Sequence, residues 1–344
     1  MITLETAKKA LDTVIEKGRV HLYKPIQVAE ILYRDRVYKD IDLSNLEDYR
    51  TQSKKWRDEI TMPLLGRKCT SSARFQDDLF NDNATPPSVL VVLGKENRRT
   101  KGAVEAYIYN QFTNKHGQLK LALDYCLEAT PQSFQIQQFI DSFWNEPGLK
   151  RSLDKVYEII VYSLFSTLVE GMKLEVTITV KEEGFSLLKE FEDFSRKVMC
   201  LDSSTTHFIQ DARVYRVGVT NAADRGLDMY SNWGPAIQIK HLSLDASLAE
   251  GIVNSVSCDK IIIVCKDVEK DVIVSLLSQI GWRSHIQSVV SETDLVNWYE
   301  KALRGQYSEL LADKLLYVLL KKLQKSSPPS ITHQILLKCV NMKM

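Results

Sequence analysis

The stretch RGLDMYSNWGPAIQIKH, residues 225–241, decides how this chain is read. It divides into two extended pieces, 226–230 and 236–240. Ser231, Asn232, Gly234 and Pro235 between them are turn formers, each for its own backbone reason. Side chains alternate along a strand, so Gln238 and Lys240 point one way while Ile237 and Ile239 point the other. An antiparallel hairpin then brings Asp228 beside Gln238 and Lys240. A carboxylate, a carboxamide oxygen and an ammonium converge on one side of a small sheet.

That trio suits phosphodiester chemistry. A carboxylate holds a hard divalent cation such as Mg²⁺, which takes oxygen ligands and keeps several waters. Such a cation polarises a phosphoryl oxygen, and a nearby lysine orients the attacking water or helps deprotonate it. The order Asp, turn, acid or amide, any residue, Lys resembles the PD-(D/E)xK nucleases. Asp228 takes the Asp position, Gln238 the second acidic position and Lys240 the Lys. Two departures stand out: Leu227 precedes Asp228 where the pattern has Pro, and Gln238 is neutral. A surface hairpin with a solvated lysine is the alternative, because three residues at this spacing arise readily by chance.

The flanks extend the resemblance. Tyr215-Arg-Val-Gly-Val-Thr-Asn-Ala-Ala-Asp224 leads into the hairpin, Thr70-Ser-Ser-Ala-Arg-Phe-Gln-Asp-Asp-Leu-Phe80 lies upstream, and Gly281-Trp-Arg283 lies downstream. With these the chain resembles, over most of its length, the HaeII-type group of type II restriction endonucleases. The resemblance implies a Mg²⁺-dependent, site-specific endodeoxyribonuclease acting on double-stranded DNA at a short palindrome with a GCGC core. It further implies a homodimer, with a cognate DNA methyltransferase as genetic partner. Asp228 and Gln238 would be metal ligands, and Lys240 would act on the water. Glu158, on the helix ahead of the sheet, would be an extra ligand or orienting group. A structure-specific repair or junction nuclease on the same core, or an inactive DNA-binding protein, are the alternatives, and the neutral Gln238 keeps the second of them open.

Composition narrows the class. The 344 residues suffice for two or three domains, and 44% hydrophobic with 26% charged residues is ordinary for a folded protein. A net charge of +1 provides no global basic field, so DNA binding needs a local basic cleft. There is no apolar run of about 18 residues to span a membrane and no apolar core of a secretory signal near residue 1. Six scattered cysteines form no CxxC pair and no zinc spacing, so a reduced, cytoplasmic protein without structural metal is expected.

The remaining chain fits a mixed α/β fold of the restriction-endonuclease type. A central mixed sheet is flanked by helices and preceded by a mainly helical region. Three segments are expected: 1–148 for DNA recognition, 149–305 as nuclease core and 306–344 as a helical extension. Helices are read over 3–17 and 26–35, as a packing pair or part of a DNA-reading module. A helix is also read in 42–60. In 63–76, Arg67, Lys68 and Arg74 with Ser71 offer charge and short hydroxyl bonds to phosphates. Residues 88–93 are a strand or a buried helix start. Residues 94–102 read as a Gly-bounded basic loop, where Lys95, Arg98, Arg99 and Lys101 with Asn97 have the chemistry for phosphates and base edges. Helices follow over 102–112, 131–144 and 152–171, a strand over 174–180, a helix over 185–198 and a strand over 214–220. The run 260–266 is apolar without alternation, as in a strand buried on both faces. Helices are read over 246–256, 268–280, 295–303 and 307–323, with an edge strand over 284–290.

Overall fold

The computed structural model describes residues 2–18, 22–65, 68–69, 79–145, 153–217, 227–241, 258–266 and 286–326. Arg67, Ser71, Arg74, Asp224, the segment 281–283 and the helices read over 246–256 and 268–280 lie outside them. The chain divides into two compact units. One gathers residues 1–129, 135–156 and 320–344, the other residues 130–134 and 157–319.

Among its described residues the first unit has helices and no strand. It contains α1 (Leu4–Lys17), α2 (Tyr23–Val37), α3 (Gln52–Leu65), α4 (Pro87–Arg99), α5 (Ala103–Glu128) and α6 (Ile136–Asn145). Thr3 caps α1, its hydroxyl accepting from the Thr6 amide, and Ala7, Leu11, Val14 and Ile15 form the buried stripe. α2 is central: Ile26, Val28, Ala29, Ile31 and Leu32 are all fully buried, alongside Leu90 and Leu93 of α4 and Phe112 of α5. Arg57, Gln27 and Ser53 form a paired polar network in this core. Arg57, 2% exposed, donates to Gln27 Oε1 at 3.0 Å, and Gln27 donates to Ser53 Oγ at 2.9 Å. Such closed networks avoid the cost of an unmet buried donor.

The basic segment 94–102 is not a loop. α4 runs from Pro87 to Arg99, which also settles 88–93 as helix. Gly94 lies inside that helix, and a methyl group there would overlap Leu43 Cδ1, so glycine serves close packing. Only Gly102, at φ +105°, makes the turn expected of both glycines. The helix read over 102–112 continues to Glu128.

His116 on α5 packs against Phe112 with ring centroids 4.3 Å apart, and its Nε2 has no hydrogen-bond partner. Burial pushes its pKa down to about 4 from an ordinary 6.5. The unfolded chain therefore takes up a proton near pH 6.5 that the folded chain refuses until about pH 4. Stability falls across that window as pH drops, by up to about 3 kcal/mol. His116→Leu is expected to flatten this acid limb. Urea midpoints at pH 7.5 and 4.5 should differ clearly less for the variant than for the parent.

The second unit holds the mixed sheet. The helix α7 (Leu153–Gly171) enters it at Tyr157. β1 (Glu175–Thr179) and β2 (His207–Asp211) form a separate antiparallel ribbon, with Glu175 opposite Asp211. The helix read over 185–198 is broken: α8 (Phe185–Glu190) is followed by a short helical turn and a π-helical turn over Ser195–Met199. The five-stranded sheet has the order β3 (Val214–Arg216), β4 (Met229–Ser231), β5 (Ala236–Lys240), β6 (Ile261–Cys265), β7 (Ile286–Val290). β3, β4 and β5 are antiparallel neighbours, whereas β5, β6 and β7 run parallel. β6 lies between two parallel strands, and Ile261, Ile263, Val264 and Cys265 are fully buried, as the non-alternating apolar run implies.

Two helices complete the order, α9 (Glu292–Arg304) and α10 (Ser308–Ser326). Ser291 and Asp294 form a capping box at the start of α9. α9 packs on α7, and the Tyr299 hydroxyl donates to the Ile160 carbonyl at 2.9 Å. α7 meets the sheet through the Tyr157 hydroxyl, which donates to the Cys265 carbonyl at 3.3 Å. The result is a mixed α/β fold with a helical N-terminal region.

Candidate active site

The hairpin of residues 227–241 forms as its turn chemistry requires. Gly234 adopts φ +127°, and the Ser231 amide and hydroxyl both donate to the Pro235 carbonyl at 3.0 Å. Asn232 ties the turn to the chain before β3. Its Oδ1 accepts from the Arg213 amide at 2.8 Å, and its Nδ2 donates to the Asp211 carbonyl at 2.8 Å. The register pairs Met229 with Ile237 and Tyr230 with Ala236, so Asp228 falls opposite Gln238.

The side chains meet as that register demands. Gln238 Nε2 donates to Asp228 Oδ2 at 2.6 Å, and the Ile239 amide donates to the same oxygen at 2.7 Å. These bonds fix the orientation of the carboxamide, because turning it over would set oxygen against oxygen. Gln238 Oε1 is consequently directed away from Asp228. It is buried and has no hydrogen-bond partner. Lys240 follows by strand alternation on the same face as Gln238, half-buried, and enters no ion pair among the described residues.

The end of β5 is held from behind. His241 is 3% exposed, stacks edge-on against Tyr157 at 4.7 Å, and places Nε2 3.3 Å from Glu292 Oε2. The Glu292 amide donates to the Lys266 carbonyl at 2.8 Å, so α9 and the end of β6 join the same cluster. Glu158 of α7 accepts from Arg216 Nη2 at 3.3 Å, with both side chains largely buried. Tyr215 and Tyr230 form a stacked pair with centroids 5.2 Å apart, on the face that carries Asp228, and both are exposed. Neither the His241 cluster nor the tyrosine pair is apparent in the sequence. Cross-strand register alone brings Tyr215 to Tyr230, and His241 meets Glu292 from 51 positions away.

The HaeII restriction endonuclease family matches residues 7–338 of the chain. This chain belongs to that family. It is 57% identical over 316 residues to the type II restriction enzyme HaeII of Haemophilus aegyptius, covering 92% of this chain and 90% of the relative. It is 54% identical over 329 residues to the type II restriction enzyme NgoBI of Neisseria gonorrhoeae, covering 95% and 93%. No solved structure matches the chain. This HaeII-family protein is a type II restriction endonuclease, a site-specific deoxyribonuclease.

The donor set of this family member suits a divalent cation. Asp228 supplies a carboxylate, and Gln238 Oε1 is a buried acceptor lacking a donor, an environment a cation relieves. Among the described residues no three His, Cys, Asp or Glu side chains cluster as a metal cage.

The basic residues expected to contact DNA fare unevenly in the HaeII-family structure. Asn97 does not face a base. It is fully buried, donates to Glu105 Oε1 at 2.6 Å, and accepts from the Val104 and Glu105 amides at 3.2 and 3.3 Å. It therefore caps the start of α5, a role hidden by reading 94–102 as a loop. Arg98 pairs with Asp35, and Arg99 pairs with Glu96 at 2.8 Å. Lys95 and Lys101 are exposed, and the Lys68 carbonyl accepts from the Tyr23 hydroxyl at 3.5 Å. Among the described residues no helix is long and apolar enough to cross a membrane.

Proposed function

We propose that the chain cuts both strands of double-stranded DNA at a short palindrome with a GCGC core. Asp228 and Gln238 hold Mg²⁺, and Lys240 acts on the attacking water. The hydrogen-bonded Asp228–Gln238 pair, with the buried, unpartnered Gln238 Oε1 on the sheet face that also carries Lys240, supports the assignment. The GCGC core rests on the likeness to the HaeII group.

When bound, the cation supplies Lewis-acid polarisation of the scissile phosphate and charge neutralisation as the reaction proceeds. The protein's own residues do the rest. Asp228 fixes the cation's position, because its Oδ2 is itself fixed by two N–H donors from β5. Gln238 presents Oε1 to the cation or to its water shell. Lys240 orients the water and places positive charge beside the phosphate. Glu158 steadies Arg216 through their ion pair, and so acts on the edge of the sheet. The exposed Tyr215 and Tyr230 offer a contact for the nucleotide beside the scissile bond. Lys68, Lys95 and Lys101 remain available for phosphates, with Arg67, Ser71 and Arg74 of the neighbouring segment. The first unit would do much of the recognition and the second the cutting.

A palindrome implies two copies related by a two-fold axis, each cutting one strand. A cognate methyltransferase protecting the host's own sites, and a cytoplasmic location, belong to the same proposal. Incubation with phage DNA and Mg²⁺ tests it: discrete fragments are expected, and none on adding a chelator. Smearing would reject sequence specificity.

Gln238→Glu gives a finer test of the cation site. The new carboxylate would face Asp228 across the present 2.6 Å hydrogen bond, and two such charges cannot both stay ionised. The metal-free variant should melt below the parent at pH 8, and Mg²⁺ should raise its midpoint more than the parent's. Equal Mg²⁺ shifts would place the cation elsewhere.

A further inference from the structure

We propose that His241, held by Tyr157 and Glu292, is a positioning residue for Lys240: it fixes the end of β5, and so the place from which the lysine reaches the attacking water. The inference rests on the role given to Lys240 above.

Lys240 is the last residue of β5, and its pairing with Cys265 is the last of the β5–β6 ladder. Beyond that pair the ladder no longer holds the chain, and chain segments that leave regular structure are the first to open. A lysine there combines a flexible four-carbon stem with a backbone that the sheet secures on its N-terminal side alone.

The next side chain supplies what the ladder stops supplying. His241 is buried, as Ile237 and Ile239 are at the preceding alternate positions. Two helices pin it. Its ring meets the Tyr157 ring at 73° with centroids 4.7 Å apart, and its Nε2 lies 3.3 Å from Glu292 Oε2. Both holders are themselves fixed. Tyr157 is fully buried, and its hydroxyl donates at 3.3 Å to the carbonyl of Cys265, the cross-strand partner of Lys240. Glu292 stands in the first turn of α9, inside the Ser291–Asp294 capping box, and its amide donates to the Lys266 carbonyl at 2.8 Å. The clamp therefore grips β5 and β6 together, at the residue pair that carries Lys240.

Packing alone does not call for these groups. A leucine at 241 would bury as Ile237 and Ile239 do, without taking an imidazole and a carboxylate out of water. Replacing a buried polar pair by apolar residues of similar volume is often neutral for stability. What the polar pair adds is direction, because its atoms are satisfied only in one arrangement. That direction is imposed one residue from the ammonium on which the reaction depends, where a displacement of about 1 Å costs on the order of 10²-fold in rate.

The test is a mutant cycle read in single-turnover cleavage of a duplex carrying one site that the parent cuts. His241→Leu with Glu292→Met removes both polar groups together, so that neither is left alone in the core. This double variant is expected to melt close to the parent, to bind the duplex in Ca²⁺ as the parent does, and to cut about 10- to 100-fold more slowly. In a Lys240→Met background the same two substitutions should change the rate by less than about threefold, since no ammonium is left to misplace. A purely structural role would give the same factor in both backgrounds. Cleavage by the double variant within about threefold of the parent, or an equal loss with and without Lys240, would overturn the proposal and leave the cation site untouched. Normal cutting by Lys240→Met would instead remove the role of Lys240, and the proposal with it. If the double variant does not fold, Tyr157→Phe decides the matter, because it takes away only the hydroxyl on the Cys265 carbonyl. A loss of about threefold or more is expected of it with Lys240 present and none without, and a parent-like rate would overturn the proposal.

Discussion

Asp228→Asn is expected to reduce cleavage about a thousandfold or more while leaving the fold and DNA binding in place. The substitution is nearly isosteric. Asparagine Oδ1 still accepts from the Ile239 amide and from Gln238 Nε2, so both bonds that shape the hairpin survive. Only the negative charge goes, and with it the chief grip on a cation. Asp228→Ala provides the contrast. It strips the acceptor from two donors, each left wanting at about 1–3 kcal/mol if buried. That variant should lose activity and also melt lower. Single-turnover cleavage, a DNA-binding titration in Ca²⁺ and a thermal melt separate the two effects. Cleavage by Asp228→Asn within tenfold of the parent would remove Asp228 from the site.

Lys240→Met is the second large effect. Methionine keeps most of the apolar stem and drops the ammonium, so packing at the end of β5 should persist. Loss of a group that orients or deprotonates water is worth on the order of 10²–10⁴ in rate. The expected result is a fall of that size in the single-turnover rate, with DNA affinity changed far less. Because His241 and Glu292 clamp the same strand end from the other face, the variant should melt close to the parent. A normal cutting rate would mean that another cation serves the water.

The hairpin was legible because its determinants are local. Turn formers at 231–235 and strict alternation over 236–240 fix which side chains share a face. The buried strand at 261–265 announced itself by a continuous apolar run, four of its five residues β-branched, for the same reason. What the sequence concealed depends on distant partners. Gly94 looks like a loop boundary until Leu43 is seen against it. Asn97 looks like a base reader until the amides of 104 and 105 claim its oxygen. The break in 185–198 follows no proline or glycine inside that run, and Leu187, Phe191, Phe194 and Val198 stay exposed on its pieces although their spacing is that of a core-facing helix. Amphipathic spacing alone does not tell an unbroken packed helix from such a broken one.

The way the two units share the polypeptide sets an order of events at the ribosome. The first unit begins with the earliest residues but also takes in the segment from Leu320 onward, after the whole of the second has been made. Translation at about 5–20 residues per second puts roughly ten to thirty seconds between residue 156 and residue 320. Through that interval the early helices wait for their late partner. The first unit is thus completed only after the second has been translated, and a stop codon placed between them would leave the early helices without the segment from residue 320.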